Sequence, residues 1–97
     1  MRFEIVLAPQ AVEDLRSLKA HTKGVIRAAL EEHLRHQPER VSKSRIKRLR
    51  GLSRPQYRLR VGAIRVFYDI VGDTVQVLAI VDKSEASRWL ARFGKTE

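Results

Sequence analysis

Two dipeptides that begin with glycine, Gly62-Ala63 and Gly72-Asp73, most constrain what this chain can fold into. Each separates two short segments that are rich in apolar residues. Residues 56–61 and 64–71 alternate with the period of two typical of a β-strand, and residues 74–81 are almost wholly apolar. Two-residue loops with glycine first join antiparallel strands, because glycine adopts the backbone angles that tight turns need. The sequence therefore predicts three consecutive antiparallel strands at 56–61, 64–71 and 74–81.

The first turn also fixes the register of the strands on either side of it. With 62–63 as a two-residue loop, Arg60 lies opposite Arg65 and Arg58 lies opposite Phe67, all on one face. The other face carries the apolar residues that helices are expected to cover: Tyr57, Leu59, Val61, Ile64, Val66, Tyr68 and Ile70. The sequence thus predicts a sheet with a dry side and a cationic side.

The second turn extends this register to the third strand. It places Ile80 beside Arg65 and Leu78 beside Phe67, on the cationic face. We expect Phe67, Leu78 and Ile80 to be exposed next to the positive charges. Such a surface suits an acidic or amphipathic segment of a partner, lying over the arginines or beside a C-terminal helix.

The first 38 residues predict one strand and a helical hairpin. Residues 1–7 alternate like a strand, and Pro9 then suits a first helical position. Apolar residues at helical spacing predict one helix over 10–20 and a second that continues to Pro38. A break is expected at 21–24, where Thr22 can cap the second helix.

A last helix is predicted from Asp82, which begins an Asp-x-x-Glu capping box with Glu85, to Gly94. The expected fold class is α+β: an antiparallel sheet of about four or five strands, the helical hairpin 10–36 on one face, and a short C-terminal helix. Residues 1–97 are expected to form a single domain. The alternative is a small RNA-binding α/β module of another kind.

The positive charge is concentrated in one segment. The chain has a formal net charge of +9, and residues 40–68 contain no acid. That segment holds all of the excess charge, on Arg40, Lys43, Arg45, Lys47, Arg48, Arg50, Arg54, Arg58, Arg60 and Arg65. A localised basic segment is typical of a polyanion-binding surface, with a solvated surface or an acidic protein partner as alternatives.

The predicted register indicates a phosphate site between specific arginines. Two like charges directly opposite on a sheet are destabilising, so fold stability does not explain why Arg60 faces Arg65. A phosphate between the arginines does, because guanidinium groups match phosphate oxygens in geometry and charge. The sequence has no cysteine and no nucleotide-loop or metal motif, so we expect no metal or other cofactor. Metal-free phosphodiester chemistry points to RNA, whose 2′-OH can attack the neighbouring phosphorus.

Three segments are distinctive when taken together: Leu-Arg-Gly-Leu at 49–52, Tyr-Arg-Leu-Arg-Val-Gly at 57–62 and Ile-Arg-Val-Phe-Tyr-Asp-Ile at 64–70. In these segments the chain resembles the RelE/ParE superfamily of bacterial type II toxins. The resemblance covers residues 2–83. It implies a compact α/β toxin neutralised by a co-expressed antitoxin. In the RelE branch it implies a ribosome-dependent endonuclease that cuts mRNA through 2′-OH attack, and in the ParE branch an inhibitor of DNA gyrase.

The resemblance also implies roles for individual residues. Basic residues of this family's strand pair correspond to Arg58, Arg60 and Arg65, and one after the last strand to Lys83; all four are expected to be catalytic. The family's C-terminal tyrosine, credited with acting as the base, is absent here, which leaves the base unassigned. We expect the other basic residues to bind RNA or the ribosome: Lys43, Arg45, Lys47, Arg48, Arg50 and Arg54.

The sequence therefore predicts a translation-inhibiting toxin that works on ribosomes and mRNA and is controlled by an antitoxin protein. Rival interpretations are a gyrase inhibitor, a non-catalytic RNA or ribosome binder, and a structural partner of an acidic protein. No apolar stretch is long enough to span a bilayer, and residues 1–8 do not have the layout of a signal peptide. We expect a soluble, cytoplasmic protein with no membrane partner.

Overall fold

A computed structural model describes all residues, Met1–Glu97. The elements in chain order are β1 (Glu4–Leu7), α1 (Pro9–Ser17), α2 (Ala20–Leu34), β2 (Ile46–Arg48), β3 (Leu52–Arg54), β4 (Tyr57–Val61), β5 (Ile64–Val71), β6 (Thr74–Asp82), α3 (Lys83–Phe93) and β7 (Lys95–Thr96). The predicted α+β class, the helical hairpin and the C-terminal helix are confirmed. None of the three helices is long and apolar enough to cross a membrane.

Five strands form the main sheet, in the order β1-β6-β5-β4-β2. Neighbouring strands are antiparallel except β1 and β6, which pair in parallel with Glu4 opposite Thr74. The sheet is therefore mixed, whereas the sequence predicted an antiparallel one. The difference arises because β1 pairs with a strand about 70 residues away, and no local turn specifies that pairing. A second, two-stranded sheet joins β3 and β7.

The helical hairpin breaks earlier than predicted. Leu18 and Lys19 have extended backbones, with ψ of 154° and 152°, and they separate α1 from α2. The predicted break at 21–24 is wrong, because those residues lie inside α2. Gly24 is tolerated there, although glycine lowers helix stability by about 1 kcal/mol relative to alanine. The tertiary packing of α2 outweighs that cost.

The core lies between the helical hairpin and the face of the sheet that the sequence assigned to it. Ile26 and Leu34 of α2 and Leu59 and Tyr68 of the sheet are fully buried there. The Tyr68 hydroxyl donates a hydrogen bond to the Pro38 carbonyl oxygen over 2.6 Å. This bond ties the segment after α2 to the centre of the sheet, where burial of the phenol would otherwise be costly.

The predicted register of β4 and β5 is confirmed at every pair. Arg60 lies opposite Arg65 and Arg58 lies opposite Phe67. The glycines that begin the two turns have positive φ, 58° at Gly62 and 61° at position 72, where L-residues are strained. The local turn sequence therefore determines which residues share the cationic face.

The predicted register of β6 fails beyond Tyr68, because β6 contains a β-bulge. Tyr68 lies opposite Val77, whereas Phe67 lies opposite Ala79, so Leu78 is the extra residue. Ala79, and not Leu78, is therefore beside Phe67. Ile80, predicted to lie beside Arg65, is instead opposite Val66 on the core face, and Val81 is opposite Arg65.

The bulge lies where β6 loses its other neighbour. The β1 strand ends at Leu7, opposite Val77, so the rest of β6 has no strand on that side. The Asp14 carboxylate of α1 accepts a hydrogen bond from the Ile80 backbone N–H over 2.9 Å. A side chain from a helix thus satisfies a backbone donor that a strand would otherwise pair.

The α3 helix covers part of the cationic face. The Trp89 ring stacks on the Phe67 ring, with 5.0 Å between centroids and 5° between planes. Asp82 caps α3 as predicted, since its carboxylate accepts a hydrogen bond from the Ser84 N–H over 2.9 Å. The expectation of exposed Phe67 and Ile80 is wrong, because α3 covers the first and the helical hairpin covers the second.

Candidate nucleic-acid interface

Three arginines on adjacent strands form the arginine cluster: Arg58 and Arg60 of β4 and Arg65 of β5. Arg60 and Arg65 are partners across the ladder, and Arg58 follows two residues along the same face. No ion pair in the structure involves any of the three. Three unneutralised positive charges therefore share a small area of the sheet.

Arg58 is the most enclosed member of the cluster. Its Nε atom is buried and has no hydrogen-bond partner. Burial, and then the charges of Arg65 and Arg60, lower the pKa of its guanidinium. Arginine nevertheless stays protonated at neutral pH. A buried donor without an acceptor is unfavourable, and an anion at this position would supply the missing acceptor.

The other two arginines differ in how firmly they are held. The Arg65 guanidinium donates hydrogen bonds to the Gly62 and Ile64 carbonyl oxygens over 2.9 and 3.0 Å. These bonds orient it beside the β4–β5 turn. Arg60 is exposed and its side chain makes no hydrogen bond within the chain. The cluster thus combines one fixed, one enclosed and one free guanidinium.

Two more cations extend the cluster toward the edge strand β2. Lys47 lies opposite Arg58 across the ladder. The Arg60 N–H donates to the Arg45 carbonyl oxygen over 2.8 Å, and the Arg45 guanidinium donates to the Arg60 carbonyl oxygen over 3.2 Å. The sheet therefore brings five predicted site residues together in two neighbouring rows.

Two of the predicted RNA-binding residues make contacts within the fold. Arg54 pairs with the buried carboxylate of Asp69, with 3.1 Å between Nε and Oδ2. Arg48 lies over the ring of Tyr57 at 5.2 Å and donates to the Gln56 carbonyl oxygen over 2.8 Å. Both arginines therefore make stabilising contacts with other parts of the fold.

The remaining predicted residues lie on connections around the sheet. Lys43 is exposed in the segment between α2 and β2, and Arg50 is exposed in the turn between β2 and β3. Lys83 is the first residue of α3, and its N–H donates to the Ala63 carbonyl oxygen over 2.7 Å. This bond holds the backbone of Lys83 at the turn that precedes Arg65.

No tyrosine shares the face of the arginine cluster. Tyr57 and Tyr68 stack on each other on the helix-covered side, with centroids 5.4 Å apart. Burial raises the pKa of Tyr68 far above its ordinary value, so this phenol is not a base. No group of three or more metal-ligating side chains lies close enough together to hold a metal ion.

The sequence did not reveal that α3 forms one wall of this surface. Trp89 packs on Phe67, which occupies the same ladder row as Arg58. The signal available was the direct junction of β6 and α3 at the Asp82 cap, which leaves no linker between them. A helix that follows a strand without a linker has to pack close to the sheet, but the sequence did not specify which face of the sheet α3 covers.

Comparison with protein families decides the identity. The model described as "ParE toxin of type II toxin-antitoxin system, parDE" matches residues 5–87. The chain belongs to this toxin family. The resemblance to the RelE/ParE superfamily is thereby confirmed for this ParE-family toxin. A search of curated proteins found no match.

Solved structures of RelE toxins have the same fold as this ParE-family toxin. A RelB-RelE antitoxin-toxin complex from Methanococcus jannaschii is 24% identical with a TM-score of 0.65, covering 87% of this chain and 96% of that one. The free E. coli toxin RelE with two arginine-to-alanine substitutions is 22% identical with a TM-score of 0.69, covering 94% and 93%. The RelBE2 complex from Mycobacterium tuberculosis is 22% identical with a TM-score of 0.66, covering 84% and 99%.

Proposed function

We propose that this toxin is a ribosome-dependent mRNA endonuclease, and that the arginine cluster holds the phosphate at which the RNA is cut. The observation that carries the proposal is the cluster itself: Arg58, Arg60 and Arg65 share one face of the sheet without forming an ion pair, and the Nε of Arg58 is buried without an acceptor. Native proteins rarely leave such donors unsatisfied unless a ligand uses them.

The proposed reaction uses the RNA as its own nucleophile. The 2′-OH loses its proton as its oxygen attacks the adjacent phosphorus, and the bond from phosphorus to the 5′-oxygen breaks. Protonation of that 5′-oxygen gives a 5′-hydroxyl, and the other product is a 2′,3′-cyclic phosphate. Negative charge grows on the non-bridging oxygens in the transition state. Guanidinium groups aimed at those oxygens stabilise that charge, and Arg65 is already oriented by its two carbonyl partners.

We assign no side chain of this chain as the general base. Both tyrosines lie on the other side of the sheet, and the nearby Asp82 carboxylate is engaged in capping α3. Asp82 also has a lowered pKa, because it accepts hydrogen bonds from Ser84 and lies near Lys83 and Arg65. We therefore attribute the contribution of this chain to phosphate positioning and charge stabilisation on the ribosome.

A cognate antitoxin is the proposed protein partner, in the cytoplasm where ribosomes are found. Three of the similar solved structures, from M. jannaschii, M. tuberculosis and E. coli, are described as complexes of a toxin with its antitoxin. An acidic antitoxin segment over the arginine cluster would neutralise charges that this chain leaves unpaired. Salt is expected to slow its association, because exposed charges are screened over about 10 Å at 0.1 M.

Inhibition of DNA gyrase is the second candidate function. The family description that matches residues 5–87 is that of ParE, and the resemblance to that branch implies gyrase as the target. The two candidates differ in what fails first in the cell. Gyrase inhibition alters DNA supercoiling while mRNA stays intact, whereas the endonuclease cuts mRNA while supercoiling is maintained.

The experiment is induction of the toxin in cells while translation, mRNA integrity and supercoiling are followed, combined with single-turnover cleavage on purified ribosomes. Replacing Arg58, Arg60 or Arg65 with Ala should lower the cleavage rate about 10²- to 10³-fold, the scale for losing one charge-stabilising donor. Arg27→Ala, on the exposed side of α2, is the matched control and should cleave normally. Thermal unfolding of each variant checks that the fold is retained.

Arg65→Lys separates charge from geometry, because lysine keeps the charge but loses the two-pronged donor. Partial activity would mean that the cluster needs charge, and near-complete loss would mean that it needs the guanidinium fork. Unchanged cleavage in all three Ala variants would refute the catalytic proposal. Loss of gyrase activity with intact mRNA would show that this toxin inhibits DNA gyrase, the second candidate function.

A further inference from the structure

A pocket of about 220 Å³ lies where the end of α2 meets the segment leading to β2. Its lining includes Glu32, His33, Gln37, Arg40, Ser42 and Arg45. Arg40 was not among the predicted site residues, and the proposed cleavage chemistry does not use this pocket. The pocket therefore needs an explanation of its own.

Hydrogen bonds within the chain engage two of the neutral acceptors of this pocket. The Gln37 side-chain oxygen accepts from the Arg40 guanidinium over 3.0 Å. The Ser42 hydroxyl oxygen accepts from the Arg45 and Ile46 backbone N–H groups over 3.0 and 3.2 Å. The side-chain donors left free are the Gln37 amide N–H, the Ser42 O–H and the remaining guanidinium N–H groups of Arg40 and Arg45.

One carboxylate opposes this donor set. The Glu32 side chain is 74% exposed, and its Oε2 lies 3.6 Å from the His33 Nε2. Two guanidinium groups and one carboxylate leave a net positive pocket whose free groups are mainly donors. Such a lining matches a phosphate, which offers only acceptors and carries negative charge.

One residue, Arg45, links the pocket to the arginine cluster. Arg45 lines the pocket, and it is joined to Arg60 by a backbone hydrogen bond and by a bond from its own guanidinium to the Arg60 carbonyl oxygen. Hydrogen-bonded neighbouring backbones lie about 5 Å apart, so an extended single strand of RNA that contacts Arg60 also passes close to Arg45. The two sites therefore suit consecutive parts of one sugar-phosphate backbone.

We infer that this pocket, centred on Arg40 and Arg45, binds a backbone phosphate of the RNA next to the one held by the arginine cluster. The inference rests on the proposed function for the identity of the ligand. Its chemistry, a phosphate group, is also that of a free inorganic phosphate ion. Competition between RNA and inorganic phosphate separates those two sources.

The experiment measures binding of a fluorescent, 2′-O-methylated single-stranded RNA, which lacks the attacking hydroxyl and stays intact whether or not the toxin is a nuclease. Each phosphate contact to a single strand contributes about 0.7 to the slope of log affinity against log salt. Arg40→Gln should therefore lower that slope by about 0.7 and weaken binding about fivefold at 0.1 M salt. Arg27→Gln, an exposed arginine elsewhere on α2, should change neither quantity.

Glu32→Gln gives a test that misfolding cannot imitate, because removing the opposing carboxylate should tighten RNA binding by a similar factor. The matched control Glu13→Gln removes an exposed carboxylate on α1 and should leave affinity unchanged. RNA affinity that is the same in Arg40→Gln, Glu32→Gln and the wild type would overturn the inference. That result would leave the proposed function standing, since cleavage is judged on the arginine cluster.

In the last experiment, inorganic phosphate is added alone, and the side-chain NMR signals of Arg40 and Arg45 are followed. If phosphate causes weak chemical-shift changes and RNA abolishes them by competition, the pocket is a site for a backbone phosphate. Shifts that RNA leaves unchanged would mean that the pocket holds a free phosphate ion, and the RNA assignment would be wrong. Absence of ribosomal cleavage combined with the expected RNA-binding changes would reject the nuclease and keep the pocket.

Discussion

Replacing Arg60 with Gln should make this toxin more stable, because Arg60 is repelled by neighbouring arginines and has no partner. Arg65 lies directly opposite it and Arg58 lies two residues along the strand. In a β-sheet the backbones of these two pairs are about 5 and 7 Å apart. Two unit charges at the same distances repel each other by about 0.8 and 0.6 kcal/mol in water. Side chains that spread into solvent reduce these values.

We expect the free energy of unfolding to rise by about 0.5–1 kcal/mol at low salt, a magnitude within the range of cross-strand pair energies in sheets. For a domain of this size that corresponds to a melting temperature about 2–8 °C higher. Urea unfolding followed by circular dichroism, at low and high ionic strength, is the assay. Glutamine keeps part of the aliphatic stem, so loss of packing contributes little.

Salt dependence distinguishes charge repulsion from other causes. The Debye length falls from about 30 Å at 0.01 M to about 3 Å at 1 M salt, so the advantage of Arg60→Gln should nearly disappear at the higher concentration. Arg27→Gln should show no comparable gain at either salt. Lower stability of Arg60→Gln at 0.01 M, or a gain that persists undiminished at 1 M, would refute the view that the cluster costs stability and is retained for a ligand.

Tyr68→Phe should lower stability by about 1–2 kcal/mol, because the buried Pro38 carbonyl oxygen loses its donor. The pKa of Tyr68 is raised in the folded state, so an unfolded phenol ionises near pH 10 while the folded one stays neutral. The advantage of the wild type should then shrink as the pH rises above about 10, and an advantage constant to pH 11 would contradict this. In a separate test, a double-mutant cycle between Trp89→Leu and Phe67→Leu should give a coupling of about 0.5–1.5 kcal/mol in urea unfolding. Strict additivity would mean that the stacked rings do not hold α3 on the sheet.

Local sequence determined the arrangement of the arginine cluster. The Gly62-Ala63 turn has a length and backbone geometry that allow one pairing of β4 and β5, and alternation then assigns every side chain to a face. Arg60 faces Arg65 for this reason alone. The Asp82 cap was equally local, because a carboxylate at this position can satisfy a backbone N–H only two residues away.

Contacts between distant segments decided the rest, and no short pattern in the chain encodes them. The bulge at Leu78 moved Ile80 into the core, at the point where β1 ends and Asp14 of α1 takes over a backbone hydrogen bond. The side of the sheet that α3 covers was settled by the stacking of Trp89 on a strand residue 22 positions earlier. Turns and caps act over two to four residues and can be predicted from sequence. Strand order, bulges and helix docking depend on which distant surfaces bury one another, and only the folded chain resolves that choice.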